Sequence, residues 1–332
     1  MYRGDDMRHY IIFGVKNDYM RASYKDIFDV EGAVYRTEFL PDKPSVVKKL
    51  HTAHCLTPFA VKHKFPLRRL WYGQYFPEKY REGDEYVFVF LYLWHPIFEN
   101  GYIEYLKKEY PGCKCVLFLC DIDCARRLNI EEQKKRFDHV MVFERNFARE
   151  HDIEYYPLVY SDFRQEIQLE EKQIDLLFVG WAKGRYKLLK QIYDRLTAAG
   201  VNCQFYLTKL DEEVPTDSGI HTVDWVPYPQ YKELLKKAKC LLDIIPSNTD
   251  CSTLRVSEAM SHKCKILTNN TKIVNETFYD PKNISAYESP EKIDIDFLLD
   301  TYTGPDYSGH VENMGPRALT EHLDNILFKK GE

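Results

Sequence analysis

Between residues 174 and 267, short apolar runs alternate with helix-period segments, and this alternation limits the chain more than any other feature. The runs Ile174 to Val179, Cys203 to Leu207, Cys240 to Ile245 and Lys265 to Leu267 are separated by amphipathic stretches at Tyr186 to Ala199, Gln230 to Ala238 and Thr253 to Ser261. A short strand at Thr222 to Val226 fits between them. Strands that recur only after a helix pair in parallel and are covered by helices on both faces. Gly200 stops the first of these helices, as glycine does just past a C-terminal cap. The pattern predicts a Rossmann-like half.

A second, less regular series precedes it, with strands at Tyr10 to Val15, Tyr86 to Leu93, Cys115 to Cys120 and Val140 to Phe143, and helices near Tyr102 to Glu109 and Ile130 to Arg136. The chain of 332 residues exceeds one typical core and suits two. Pro157 and the polar stretch Ser161 to Gln173 interrupt the strand series and mark the linker. The expected division is residues 1–165, residues 166–312 and a terminal segment 313–332 whose helix, Ala318 to Phe328, carries Leu319, Leu323 and Ile326 on one face.

Composition excludes several classes. Apolar residues make up 44% and charged residues 29%, so the chain is neither fibrous nor largely disordered. With 46 basic residues against 51 acidic, there is no global cationic field, which leads to the expectation of no nucleic-acid partner. No apolar run approaches the roughly 20 residues that span a bilayer. Met1 to Arg8 lacks the pattern of a secretory signal, so the expected location is cytoplasmic. The nine cysteines sit largely in or beside apolar runs and read as reduced and structural.

Ligands of such sheets bind beyond the carboxyl ends of the strands, which singles out two loops. In Gly180-Trp181-Ala182-Lys183-Gly184-Arg185, glycines permit close backbone approach while Lys183 and Arg185 can neutralise a diphosphate. The plainer alternative is a strand-to-helix turn with two solvated cations. In Ser247 to Met260, Asp250 lies in the loop and Glu258 about one and a half turns into the following helix. Carboxylates at these places suit sugar and ribose hydroxyls, with Thr253, Leu254 and Arg255 at the intervening phosphates. The plainer alternative is a capping acid and a surface glutamate.

On these residues the carboxyl half resembles the donor domain of GT-B-fold glycosyltransferases. Their glutamate, seven residues, glutamate motif ending in Glu-Ala-Met is matched by Asp250 through Glu258-Ala259-Met260. Asp250 replaces the usual first glutamate, and Lys263 stands where a glycine is common, a departure read as a turn variation. The resemblance implies an α/β fold of two Rossmann-like domains facing a cleft, with the C-terminal helix crossing back to the first. It also implies a nucleotide-diphosphate sugar donor in the second domain. Glu258 would bind ribose, Asp250 the donor sugar, and the segment Val226-Pro227-Tyr228 the base. No cofactor and no divalent cation are expected. The spaced-acid motif favours retention of anomeric configuration.

In the amino half, Asp121 and His95 are candidates for acceptor contact or catalysis, each with a structural alternative as a cap or hydrogen-bonder. Phe137 to Val140 and Tyr155 to Tyr160 resemble segments of bacterial enzymes that build surface polysaccharides, including lipopolysaccharide and capsule. Asp121-Ile122-Asp123 also matches the Asp-x-Asp of metal-dependent sugar transferases, a pattern common by chance. His51, His54, Cys55 and His63 lack a second pair at zinc spacing. Residues 59–76 interleave Lys62, Lys64, Arg68 and Arg69 with aromatics and contain no acid, which suits a peripheral contact with the anionic inner face of the cell membrane, a lipid-diphosphate acceptor, or an excursion packed on its own domain.

The resulting expectation is a sugar transferase acting from a nucleotide-sugar donor on a polysaccharide or glycolipid acceptor. A nucleotide-sugar epimerase or hydrolase of the same plan and a non-catalytic nucleotide-sugar binder stand as alternatives.

Overall fold

The computed structural model of the chain describes residues 7–63, 65–91, 101–161, 166–182, 184–208, 218–246 and 249–328. The chain forms two compact units, residues 1–157 with 316–332, and residues 158–315.

The first unit is a parallel sheet of β1 (Arg8–Phe13), β2 (Ala33–Arg36), β3 (Glu85–Leu91), β4 (Lys114–Leu119), β5 (His139–Val142) and β6 (Glu154–Tyr155), in the order β2-β1-β3-β4-β5-β6. The central strands β3 and β4 read Tyr-Val-Phe-Val-Phe-Leu and Cys-Val-Leu-Phe-Leu because both faces are covered. Nearly every residue in them is buried. The C-terminal helix Pro316–Leu327 belongs to this unit. Its Asp324 accepts from the Arg8 guanidinium and the Tyr10 hydroxyl, and Arg317 donates to the Asp29 carbonyl at 3.0 Å. Leu319 and Leu323 are buried as their spacing requires, but Ile326 is exposed, being at the edge of the apolar stripe.

The second unit contains β7 (Leu176–Trp181), β8 (Cys203–Thr208), β9 (His221–Thr222), β10 (Cys240–Asp243), β11 (Lys265–Thr268) and β12 (Ile284–Ala286), all parallel. Their order, β12-β11-β10-β7-β8-β9, is the doubly wound dinucleotide-fold order read from its other edge. The chain runs outward from β7 to β9, then returns to β10 on the other side of β7. The switch point therefore falls between the carboxyl ends of β7 and β10, the strands that feed the two loops singled out in the sequence.

Helix Leu254–Ser261 ends in a Schellman motif. The Cys264 amide donates to the Ala259 carbonyl at 2.8 Å and the Lys263 amide to that of Met260 at 3.2 Å. Lys263 is thereby held at φ 53°, so the position commonly occupied by glycine requires a left-handed backbone. At this same end of the sheet, the buried Lys172 ammonium donates to the carbonyls of Leu235, Ala238 and His262 at 3.1, 2.6 and 2.7 Å. A residue within the stretch read as a linker thus ties down the C-terminal ends of two helices, where a cation complements the peptide dipoles.

Candidate functional site at the β7–β10 switch point

Asp243, the last residue of β10, organises the site. Its carboxylate is fully buried and accepts from Thr253 Oγ1 at 2.8 Å and Thr268 Oγ1 at 3.0 Å, with Arg255 Nη1 at 3.6 Å. Thr253 uses the same hydroxyl to accept the Arg255 amide at 3.2 Å, so one side chain caps helix Leu254–Ser261 and fastens it to β10. Asp243 interrupts the otherwise apolar run Cys240 to Ile245, which was the available signal for a residue the sequence reading missed.

Arg255 lies against β7. Its Nη2 donates to the Val179 carbonyl at 2.9 Å and its guanidinium stacks over the Phe178 ring at 5.0 Å. Gly180 eases this approach, since a Cβ there would stand 3.0 Å from Arg255 Nη2 and the guanidinium would have to shift slightly. Arg255 Nε is buried without a hydrogen-bond partner. Gly184 adopts φ 68° in open space, so its role is conformational. Arg185 turns back onto the loop ends, donating to the carbonyls of Ile244, Trp181 and Ala182 at 2.7, 3.2 and 3.3 Å. It laces the β7 loop to the β10 loop, and burial followed by the nearby Arg255 charge lowers its pKa.

Glu258, one turn beyond Arg255, is 5% exposed. Tyr231 donates to its Oε2 at 2.8 Å, and Tyr228 adds a smaller influence that favours the charged carboxylate. Burial raises its pKa to about 7 despite the opposing Arg255 charge and the Tyr231 hydrogen bond. Tyr228 in turn contacts the Tyr160 hydroxyl at 3.0 Å, and burial pushes its own pKa far above the usual tyrosine range. Val226 is half-buried beside the exposed Trp225. Asp250 is buried in the loop before the helix, with Lys272 Nζ at 3.3 Å from its Oδ2.

The structure thus places Gly180 at the carboxyl end of β7, and Arg185, Thr253, Leu254, Arg255 and Glu258 in the loops and helices that follow β7 and β10. Lys183 and His95 lie outside the described residues. In the first unit, Asp121 caps the turn Ile122–Ala125 by accepting the Cys124 amide at 2.8 Å, and Asp123 is exposed. Among the described residues no group of three or more His, Cys, Asp or Glu side chains could hold a metal ion. His51 and His54 instead hydrogen-bond Tyr75 and Trp71, at 2.8 Å each, and burial holds His51 down at about 4. No helix among the described residues is long and apolar enough to cross a membrane.

Residues 185–301, wholly within the second unit, match a family model described as glycosyl transferase-like. No curated protein matches the chain. Among solved structures, an alpha-glucosyltransferase in complex with UDP-glucose and DNA containing an abasic site aligns with TM-score 0.60 at 10% identity, over 97% of this chain and 99% of that one. A sucrose-phosphate synthase from Thermosynechococcus elongatus aligns with TM-score 0.55 at 10% identity, over 96% and 98%. A glycosylation-associated protein complex from Streptococcus agalactiae matches with TM-score 0.44 at 11% identity over 82% of this chain, which spans only 60% of that chain's length. The fold is the GT-B-like glycosyltransferase fold of two Rossmann-like domains.

One expectation is corrected by these matches. Nucleic acid was excluded as a partner on net charge, yet the alpha-glucosyltransferase above and two further structures of such an enzyme hold DNA. Net charge is a sum over the whole chain and conceals local asymmetry: Lys43 to Pro77 contains seven lysines and arginines and no acid.

Proposed function

We propose that this chain is a glycosyltransferase whose second unit holds a nucleotide-diphosphate sugar. The observation that carries the reading is the convergence at one switch point of two guanidinium groups, a capped helix N-terminus and a buried carboxylate near its neutral point. Buried titratable groups of this kind reduce stability and cluster where ligands bind.

In this reading the free Nε of Arg255 and the amides opening helix Leu254–Ser261 face the departing diphosphate, a role that cations and helix dipoles perform without a metal. Arg185 borders the same group, Glu258 accepts from a ribose hydroxyl once a tyrosine yields, and Asp250 meets the donor sugar. Val226 and Tyr228 border the base, and Asp121 faces the acceptor. We assign transfer with retention to a surface saccharide or glycolipid acceptor, in the cytoplasm. Because enzymes of this fold have been solved with DNA, duplex DNA belongs in the acceptor panel.

The test is equilibrium binding and turnover with UDP-, GDP-, dTDP- and CMP-sugars in the presence of a chelator. Arg255→Ala removes a charged hydrogen-bond donor and is expected to weaken donor binding roughly tenfold to a hundredfold. Unchanged binding in Arg255→Ala and in Glu258→Ala would remove the site assignment. Donor conversion without acceptor would replace transfer by epimerisation or hydrolysis, and turnover abolished by the chelator would overturn the metal-free reading.

A further inference from the structure

The segment Lys43 to Pro77 of the first unit is unlike the rest of the molecule. Its inner side is a packed aromatic layer, where Tyr72, Tyr75, Cys55, Ala60 and His51 are buried. Internal ties hold its short helices Ser45–His51, Pro58–His63 and Arg68–Trp71 together. His54 Nε2 hydrogen-bonds the Pro66 carbonyl at 2.9 Å while its Nδ1 accepts from Trp71, and the buried Arg68 donates to the Ala60 carbonyl.

The outer side carries what a soluble surface ordinarily avoids. Val46, Leu50, Phe59, Leu67 and Leu70 are each between 61% and 77% exposed. Val46 and Leu50 are one turn apart on one helix, and Leu67 and Leu70 stand three positions apart at the start of the turn Arg68–Trp71. Leu67 is held out at φ 63°, a left-handed conformation that a leucine rarely adopts. The exposed Lys43, Lys49, Lys62 and Arg69 belong to the same segment, which itself contains no acid in a chain whose net charge is −5.

We propose that this face docks the protein on an anionic lipid bilayer. Apolar side chains enter the boundary between headgroups and acyl chains, while the cations remain at the level of the lipid phosphates, the two contributions an interfacial anchor combines. Charge complementarity selects this occupant: apolar groups alone would suit another protein, and cations alone would suit a nucleic acid. The inference does not depend on the donor site, because it concerns the first unit and its test measures no turnover.

The experiment is co-sedimentation of the full chain with phosphatidylcholine vesicles and with vesicles containing about one third phosphatidylglycerol, at physiological salt. One variant combines Leu50→Gln, Phe59→Gln, Leu67→Gln and Leu70→Gln, and another combines Lys49→Glu, Lys62→Glu and Arg69→Glu. All seven positions are exposed, so both variants are expected to keep the wild-type circular dichroism spectrum. Wild type should pellet with the anionic vesicles only, and each variant should bind them at least about tenfold more weakly. Wild type left in the supernatant, or both variants pelleting like wild type, would overturn the proposal. So would a short duplex DNA that displaces the vesicles and binds the apolar variant as well as wild type, since the face would then read phosphates without using its apolar groups.

Discussion

The switch point of the second unit buries its charges, whereas the segment Lys43 to Pro77 of the first exposes its apolar side chains. Around Asp243, carboxylate, hydroxyl and guanidinium groups occupy positions that aliphatic residues would fill more stably. Around Leu67 and Leu70, aliphatic groups occupy positions that polar residues would fill at no cost. Each region departs from the core-and-surface rule in the opposite sense, and each departure reduces stability in return for a surface that meets something else. The functional reading of both regions rests on that cost, which can be measured.

The largest effect is expected at Asp243. Asp243→Ala strands two threonine hydroxyls and the Arg255 guanidinium, and should destabilise the second unit by about 3–5 kcal/mol in calorimetric or denaturant unfolding. A loss below about 1 kcal/mol would show that the network is decoration on a core that holds itself.

Glu258 should give a smaller effect with a defined pH signature. Its folded pKa of about 7 lies above the ordinary 4.5, so between those values the folded state keeps a proton that the unfolded state has lost. Stability therefore declines as pH rises through that window and levels off above it. Glu258→Gln should remove the decline and exceed wild-type stability by about 3 kcal/mol above neutral pH. A wild-type stability curve that is flat or rising from acid to neutral pH at this site would contradict the burial argument.

The smallest effects compare two left-handed residues, one in each unit. Glycine at Lys263 or at Leu67 should relieve backbone strain and add a few tenths to about 1 kcal/mol. Lys263→Gly should do only that, whereas Leu67→Gly should gain stability and lose affinity for anionic vesicles. A Leu67→Gly protein that pellets as wild type does would separate the strain from the docking face.

The strand alternation was legible because β4, β7, β10 and β11 are buried on both faces and so read as continuous apolar runs. The edge strands β2, β6 and β12, of two to four residues, were not, because so short a run carries no period. The two site loops were legible from their place after strands. Their internal wiring was not: spacing places Arg185 at the head of a helix but cannot tell that its guanidinium turns back onto Ile244, fifty-nine residues on. Likewise Tyr231, which donates to Glu258, sits on a different helix. Arg68, read among solvated cations, is buried against Ala60 because the aromatic layer folds over it.

Lys172 bears on how the second unit is assembled as it is made. The ammonium leaves the ribosome near the start of that unit, but its acceptors come from Leu235, Ala238 and His262, and from Cys264, 92 residues later. Until that final stretch emerges, the charge stays hydrated and the ends of both helices stay frayed. The C-terminal ends of the two helices are therefore fastened together by one late event, and a nascent chain halted before His262 lacks the acceptors that join them.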